Sequence, residues 1–556
     1  MTRALFPDGV IPISGEVQFW RMDPEIWSRA LGEVRDLGIG TIATYLSWRR
    51  HEPVPGSFDL RGAHGPELDV HRFLRLSREA GLRVILKPGP WICAEEHGGG
   101  LPDWVLTDES LWARDYRGHP VIGYNPPFRH PMPSYASGAF RAMTARWLTQ
   151  VWSDLAEFVA DDGPVVATQY DNEPSLGFQD WMYGFDHHPD SLASWHRFAG
   201  EDVAPPHPRV DDRVAPTDVE RLWATWQREY LTEYLVWWQR ANAEAGAPEL
   251  TGTVNLNTHP VRGWPQDGRT LSSALPGTVV GEDHYFVPPL DDVDLAGLAL
   301  AAAQGAQSGT ALVWAPEMQA GIWRSPGELI DYRDPTATEL LGWWGAALAL
   351  GYRGFNLYML VDRENWEGAP IGRNGRRSDL GDALAAFLAE IAKFPDLAAF
   401  EPEVEQTLAW TDAARISAYR VRGTQASPLT CWDVPRARAD YELTEAAALE
   451  AVRAGRQFAL GEMTTRPGTA RVEVPHGYLA RIHSHPDGRR LLLLVRWAAD
   501  VADRPVHVSL LDPTIAGVTG STGDFLLPEG ASELELPEPR AGITVYKIHP
   551  RPGRRG

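Results

Sequence analysis

Short apolar runs alternate with stretches of helical spacing over the first two thirds of the chain, and most of the runs end in polar residues. Runs at 11–20, 40–48, 82–86, 165–170, 250–255, 277–281, 310–317 and 354–360 read as strands, apolar where both faces would be covered and polar where they emerge. Between them, residues 69–80 place Val70, Phe73, Leu74 and Leu76 on one helical face before Gly81, and residues 218–245 form a long helix. Asp23-Pro24 followed by Glu25 starts another helix, which runs to Leu37-Gly38. This alternation predicts parallel βα units. Eight strands predict an α/β fold, a (β/α)8 TIM barrel that finishes in a helix near 380–394. Residues 91–141 and 178–217 are too long and too rich in polar, Gly and Pro positions for plain connections, and long βα loops build sites.

The pattern changes after Lys393-Phe394-Pro395. Period-2 segments at 415–421, 478–483, 491–497 and 543–548, divided by Gly, Pro and Asp, predict strands of a smaller β-rich C-terminal region. The expected division is a catalytic barrel over 1–395 and a β-rich accessory region over 396–556, the latter with no acid/base constellation.

Two strands end alike. Val165-Val166-Ala167-Thr168-Gln169-Tyr170-Asp171-Asn172-Glu173-Pro174 and Thr310-Ala311-Leu312-Val313-Trp314-Ala315-Pro316-Glu317 each deliver a glutamate at the carboxyl end, on what would be the fourth and seventh strands. Both ends lie on one face of such a barrel. Two carboxyl groups break a glycosidic bond, one protonating the leaving oxygen and the other attacking the anomeric carbon or activating water; about 5 Å between them means retention, roughly 6.5 to 9.5 Å inversion. Glu173 would need a raised pKa to hold its proton and Glu317 a depressed one to stay anionic.

Composition sharpens this. The chain of 556 residues has 23 tryptophans against 8 methionines, and flat aromatic faces stack on the C–H faces of sugars, so Trp314 beside the second glutamate is a substrate-binding candidate. A net charge of -22 repels phosphate backbones and anionic bilayers, which argues against nucleic acid and membrane as partners. Cys93 and Cys431 alone make no disulfide framework or thiolate cluster. The start of the chain lacks a basic segment followed by an apolar one, and no later segment runs the roughly 18 apolar residues a membrane helix needs, so the expected location is cytoplasmic.

His51-Glu52-Pro53 with Pro55-Gly56, then Lys87-Pro88-Gly89-Pro90-Trp91-Ile92-Cys93-Ala94-Glu95, Gly99-Gly100-Leu101-Pro102-Asp103-Trp104, and Asn356-Leu357-Tyr358-Met359 together resemble glycoside hydrolase family 35, the β-galactosidase family of the large clan of retaining barrel glycosidases. The similarity spans roughly residues 10–370. It implies Glu173 as acid/base, Glu317 as nucleophile and Asn172 on the 2-hydroxyl, with Tyr45, Ala94, Glu95 and Tyr358 lining the sugar subsite. The chain departs from the family in having Asp171-Asn172-Glu173-Pro174 where Glu-Asn-Glu-Tyr is usual, and Glu367-Gly368-Ala369-Pro370-Ile371-Gly372-Arg373-Asn374 where a tyrosine-rich segment is expected. The catalytic pair therefore carries over better than the sugar does.

Tyr285 is the foremost of several further strand-end candidates, with His97, Asn255, His259, Asp283 and His284 behind it, and Asp362, Arg363 and Glu364 after the eighth strand. Glu95-Glu96-His97 has no companion at metal-ligand spacing, and Glu229 and Glu233 read as a solvated helix face. The expectation is a retaining exo-β-glycosidase, β-galactosidase-like, with a carbohydrate as its substrate and without cofactor or metal. Exo-β-glucosaminidase, β-galactofuranosidase and a non-catalytic carbohydrate-binding barrel stay open, as does a homo-oligomer, which suits an acidic chain of this size.

Overall fold

The computed structural model describes residues 5–6, 11–125, 128–178, 181–208, 215–247, 250–257, 264–324, 333–421, 439–465, 468–501, 504–528 and 530–551. Eight parallel strands form a closed barrel: β1 (Ile13–Glu16), β2 (Thr41–Tyr45), β3 (Arg83–Lys87), β4 (Val165–Gln169), β5 (Thr251–Leu256), β6 (Val279–His284), β7 (Trp314–Gln319) and β8 (Gly354–Tyr358). β1 pairs with both β2 and β8, which leaves the sheet no edge. Every residue of β2, β4, β5, β7 and β8 is buried, which is why these strands lack the apolar and polar alternation of a sheet with one wet face. A helix follows each strand in turn: α1 (Trp27–Asp36), α2 (Val70–Glu79), α3 (Gly138–Asp154), α4 (Asp218–Glu244), α5 (Gly268–Ala274), α6 (Asp292–Ser308), α7 (Ala337–Leu350) and α8 (Asp379–Ile391). α4 and α7 open on capping boxes, Thr217 with Glu220 and Thr336 with Glu339, so their first orphan amides are satisfied by side chains.

Much of the tryptophan excess is core. Trp195 of the helix Pro189–Ala199 meets Trp223 of α4 at 5.0 Å between ring centroids, and Trp223 meets Trp226 at 4.4 Å, an aromatic cluster that packs the insertion after β4 against the barrel. No helix among the described residues is long and apolar enough to cross a membrane.

The C-terminal region is built on a six-stranded antiparallel sheet of β9 (Glu401–Pro402), β10 (Tyr478–Ser484), β11 (Arg490–Arg496), β12 (Ile515–Gly520), β13 (Gly523–Leu526) and β14 (Ile543–Pro550), ordered β9-β10-β11-β14-β12-β13. Its two faces pack differently. Leu491, Leu493 and Val495 join the barrel core against α7, while Leu492 and Leu494 face a core shared with Val508 and Leu536 of a three-stranded sheet. One segment departs from expectation: residues 415–421, read as a strand, lie in a helix, α9 (Asp412–Val421), and a second, α10 (Ala439–Arg453), follows. Thr411 caps α9 by accepting the Ala414 amide at 3.3 Å. A seven-residue alternation is too short to outweigh such a start.

Candidate active site

The carboxyl ends of the barrel strands open into one pocket, lined among others by Tyr45, Asn172, Glu173, Asp283, Tyr285, Glu317 and Tyr358. β7 brings Glu317 into it from the strand itself, and the β6–β7 register sets Asp283 directly beside Glu317. Past β4 the chain turns sharply, with Asp171 at φ 55° and Glu173 at φ 41°, so that Glu173 faces inwards where the strand ends. Cys93, Ala94 and Glu95, in the loop after β3, are also left-handed, at φ 52°, 50° and 47°. Each such residue costs on the order of 1–3 kcal/mol and persists only where its surroundings over-determine it. Here Trp91 N–H donates to Asp171 Oδ1 at 3.0 Å, Ile92 N–H to the Gly99 carbonyl at 2.8 Å and Glu96 N–H to the Cys93 carbonyl at 3.0 Å.

The two glutamates are joined by a short chain of hydrogen bonds. Asn172 Oδ1 accepts from Gln169 Nε2 at 2.9 Å and Asn255 Nδ2 at 3.1 Å, which fixes its amide so that Nδ2 donates to Glu173 Oε2 at 2.9 Å. The Tyr45 hydroxyl stands 2.8 Å from Asn172 Oδ1 and 2.7 Å from Glu317 Oε1, one proton serving two acceptors. Tyr285 donates to the other oxygen, Glu317 Oε2. Asn257 Nδ2 donates to Glu173 Oε1 at 2.6 Å. Beneath this layer Lys87 lies 4.5 Å from the Tyr45 ring and is paired with buried Glu16 at 2.8 Å.

Burial pushes the Glu173 carboxyl well above the usual carboxylate range, and the neighbouring Asp283 and Glu317 push it further. Glu317 is pushed up to about 7, chiefly by burial, with Lys87 and the Tyr285 hydroxyl pulling it back. The expectation of a depressed Glu317 is therefore not met. Asp283 and Glu317 favour the proton on Glu173, whereas Lys87 and the Tyr285 hydroxyl favour the anionic form of Glu317. Asp171, behind the site against Tyr234, rises to about 7 by burial.

Of the residues singled out from sequence, Tyr45, Ala94, Glu95, Asn172, Glu173, Tyr285, Glu317 and Tyr358 line the pocket together. Glu95 is not free there: buried Arg363 pairs with it and donates to Tyr358 Oη at 3.1 Å. Trp314 is elsewhere. It opens β7, roughly 10 Å along the strand from Glu317, with its indole N–H on the Pro12 carbonyl at 2.9 Å and its ring 5.8 Å from Phe6 at the amino end of the barrel. A strand has two ends, and adjacency in sequence to Glu317 did not decide which one this ring would face. Trp323 and Trp366 line the pocket instead. Asn255 acts on Asn172, His284 contacts Tyr352, and His97 is half exposed against Phe128. Asp362 accepts the Ala369 amide at 2.7 Å and exposed Glu364 approaches Arg21 at 3.6 Å. His259 lies outside the described residues. Glu95 and Glu96 do not converge on His97, because Glu96 binds Arg21 and Arg50. Glu229 and Glu233 are exposed. Asn257, Lys87 and Trp366 were missed; for Asn257 a signal existed, since it follows Asn255 by two residues and falls on the same side of the strand.

Residues 7–199 match the model of Glycosyl hydrolases family 35. A β-1,2-glucosyltransferase of Ignavibacterium album is 28% identical over 393 residues, 64% of this chain and 52% of that protein. The exo-β-D-glucosaminidase of Thermococcus kodakarensis is 34% identical over 164 residues, 29% of this chain and 20% of that one. Human β-galactosidase is 35% identical over 162 residues, again 29% and 20%. The chain thus spans about half the length of one curated relative and about a fifth of the other two. Among solved structures, a β-galactosidase from Bacillus circulans sp. alkalophilus superposes with TM-score 0.69 over 99% of this chain and 100% of that one at 10% identity, a likeness of fold. Glu173 falls inside the matched segment and Glu317 outside it. The match to glycosyl hydrolases family 35 thus covers β1 to β4 and the loops at their carboxyl ends, about a third of the chain.

Proposed function

We propose that this protein is a retaining exo-β-glycosidase that removes a terminal sugar by double displacement, with Glu173 as acid/base and Glu317 as nucleophile. The observation that carries this reading is the pairing of two buried carboxyls from the ends of β4 and β7 in one pocket, linked through Asn172 and Tyr45, with Asp283 and Glu317 favouring the protonated form of Glu173. Glu317 attacks the anomeric carbon while Glu173 protonates the departing oxygen; Glu173 then takes a proton from water as its oxygen displaces the Glu317 ester. Tyr45 and Tyr285 hold both oxygens of Glu317 in place for the attack.

A neutral sugar with a 2-hydroxyl fits better than glucosamine. Oδ1 of Asn172 is already taken by its donors and one N–H of Nδ2 is on Glu173, so the group it can offer a sugar is the second N–H, held only loosely by the Ile92 carbonyl at 3.5 Å, which suits a hydroxyl oxygen and not an ammonium. β-Galactoside is accordingly the first substrate proposed, and a barrel over 1–395 with an accessory region over 396–556 the proposed division of labour. The reading is tested with a 2,4-dinitrophenyl 2-deoxy-2-fluoroglycoside, after a panel of aryl glycosides has chosen the sugar. Mass mapping is expected to find the trapped glycosyl group on Glu317, and Glu317→Gln to lower kcat by about 10³-fold or more. A label on another residue, or unchanged hydrolysis by Glu317→Gln, rejects the assignment.

A further inference from the structure

Beside Glu95, which Arg363 holds, three carboxyls line this pocket, and double displacement as written above uses only Glu173 and Glu317. Asp283 is the third. It is 3% exposed, lines the same pocket, and stands in register with Glu317 at the end of β6. Its carboxyl also hydrogen-bonds the Glu173 carboxyl. Two carboxyls share a hydrogen bond only if one of them carries the proton. Both Glu173 oxygens already accept an amide N–H, from Asn257 at 2.6 Å and Asn172 at 2.9 Å, so the hydroxyl of protonated Glu173 has Asp283 as its acceptor.

We propose that Asp283 is a positioning residue that acts through Glu173, as the acceptor on which the acid/base rests its proton between turnovers. This rests on the reading of Glu173 given above. In the resting site the Glu173 hydroxyl points at Asp283. When a glycoside binds, that proton passes to the glycosidic oxygen as the bond to the anomeric carbon breaks, and Glu173 becomes a carboxylate beside the anionic Asp283. Two adjacent carboxylates repel, which makes Glu173 a stronger base for the incoming water. The proton taken from water restores the Glu173–Asp283 bond as the hydroxide oxygen bonds to the anomeric carbon and the Glu317 ester opens.

The other charged or titratable groups around Glu173 do not supply this acceptor. Glu317 is held by Tyr45 and Tyr285, and Glu95 by Arg363. Asp171 is turned to Tyr234 and the Trp91 amide, with Tyr135 beside it. The Cys93 thiol is pushed up by burial and by Glu173 itself, and Lys87 is committed to Glu16.

The test compares the full-length wild type with Asp283→Asn on phenyl and 2,4-dinitrophenyl glycosides of the sugar the wild type accepts. Phenol needs protonation to leave and dinitrophenolate does not. An asparagine removes the charge and can donate to Glu173, so the alkaline limb of kcat/KM for the phenyl glycoside should fall by about one pH unit, with about a tenfold loss at pH 8 confined to that substrate. Asp283→Ser serves if the asparagine variant fails to fold, and Asp283→Glu should restore the limb. A reading without turnover is the carboxyl carbon-13 titration of Glu173, identified by its loss in Glu173→Gln, which should move down in Asp283→Asn. An unmoved limb or titration in a folded variant, or equal losses on both glycosides, overturns the proposal. If Glu173→Gln itself hydrolyses the phenyl glycoside normally, the assignment of Glu173 is what fails.

Discussion

Asn257 and Asp283 pull Glu173 in opposite directions. The amide of Asn257 donates to Glu173 Oε1 at 2.6 Å and favours the carboxylate, whereas Asp283 favours the acid. Replacing Asn257 by Ala removes a donor to the charged form, a bond of about 1.5 to 3 kcal/mol when one partner is charged. The Glu173 pKa should then rise further, and the alkaline limb of kcat/KM for a phenyl glycoside should move up by about one pH unit; a limb that moves down would show that Asn257 does not touch the acid in the working enzyme. The same two residues mark how far a sequence can be read at this scale. Glu173 and Glu317 were legible because each ends an apolar run with a carboxyl, while Asp283, two residues past the run at 277–281, stood only among several weaker strand-end candidates behind Tyr285. Their division of labour was not, since it depends on distances between strands remote in the chain. Glu317 shows this most clearly: burial in the closed pocket outweighs Lys87, whose charge is shared with Glu16.

Strands announce themselves by their apolar runs, and all eight barrel strands overlap the runs that predict them, although β6 and β7 begin and end a few residues later than their runs at 277–281 and 310–317. Loops carry no such period, so residues 91–141 could be marked as site-building without any view of how they build it. The structure supplies that view in a glycine run. Gly98 and Gly99 both sit in the left-handed region, at φ 65° and 60°, so an alanine at either pays the same conformational cost. They differ in what a methyl group would meet: at Gly99 the ring of Trp91 at 1.9 Å, at Gly98 the terminal carbon of Leu106 at 2.4 Å. A leucine end can swing away, while the Trp91 ring is buried under the turn that presents Glu95. Gly99→Ala is therefore expected to cost about 1 to 3 kcal/mol more stability than Gly98→Ala and to raise KM where Gly98→Ala does so less. Thermal melts and KM of the pair separate clash from backbone strain, and equal effects would mean that the Trp91 contact is irrelevant.

At the scale of the whole molecule, the change of pattern after Pro395 suggested a boundary, but the cores do not divide there. α7 is buried on nearly every side, as a helix apolar all round must be, because the barrel covers one face and β11 and β14 cover the other. The run Leu491-Leu492-Leu493-Leu494 carried the matching signal, since a strand apolar at every position must be covered on both faces. What no pattern could say is which element covers which. The fit is close at Gly342 of α7, where a methyl group would stand 2.5 Å from Trp497 Cα and 2.7 Å from the Arg496 carbonyl, both backbone atoms that cannot rotate aside. Gly342→Val should therefore force the C-terminal sheet away from α7 and expose leucines that belong to the barrel's own core, at a cost of several kcal/mol, about 3 or more. Because that core is shared, calorimetry of the wild type should show the barrel and the sheet melting in one transition, and the substitution should lower that transition as a unit and reduce hydrolysis of the aryl glycoside chosen above, since Trp343 and Trp344 beside it reach Phe286 and Gln319 of the pocket. Two transitions in the wild type, with only the C-terminal one moved by Gly342→Val, would mean that the barrel holds its fold without the sheet and that the continuity of the two cores has no energetic consequence.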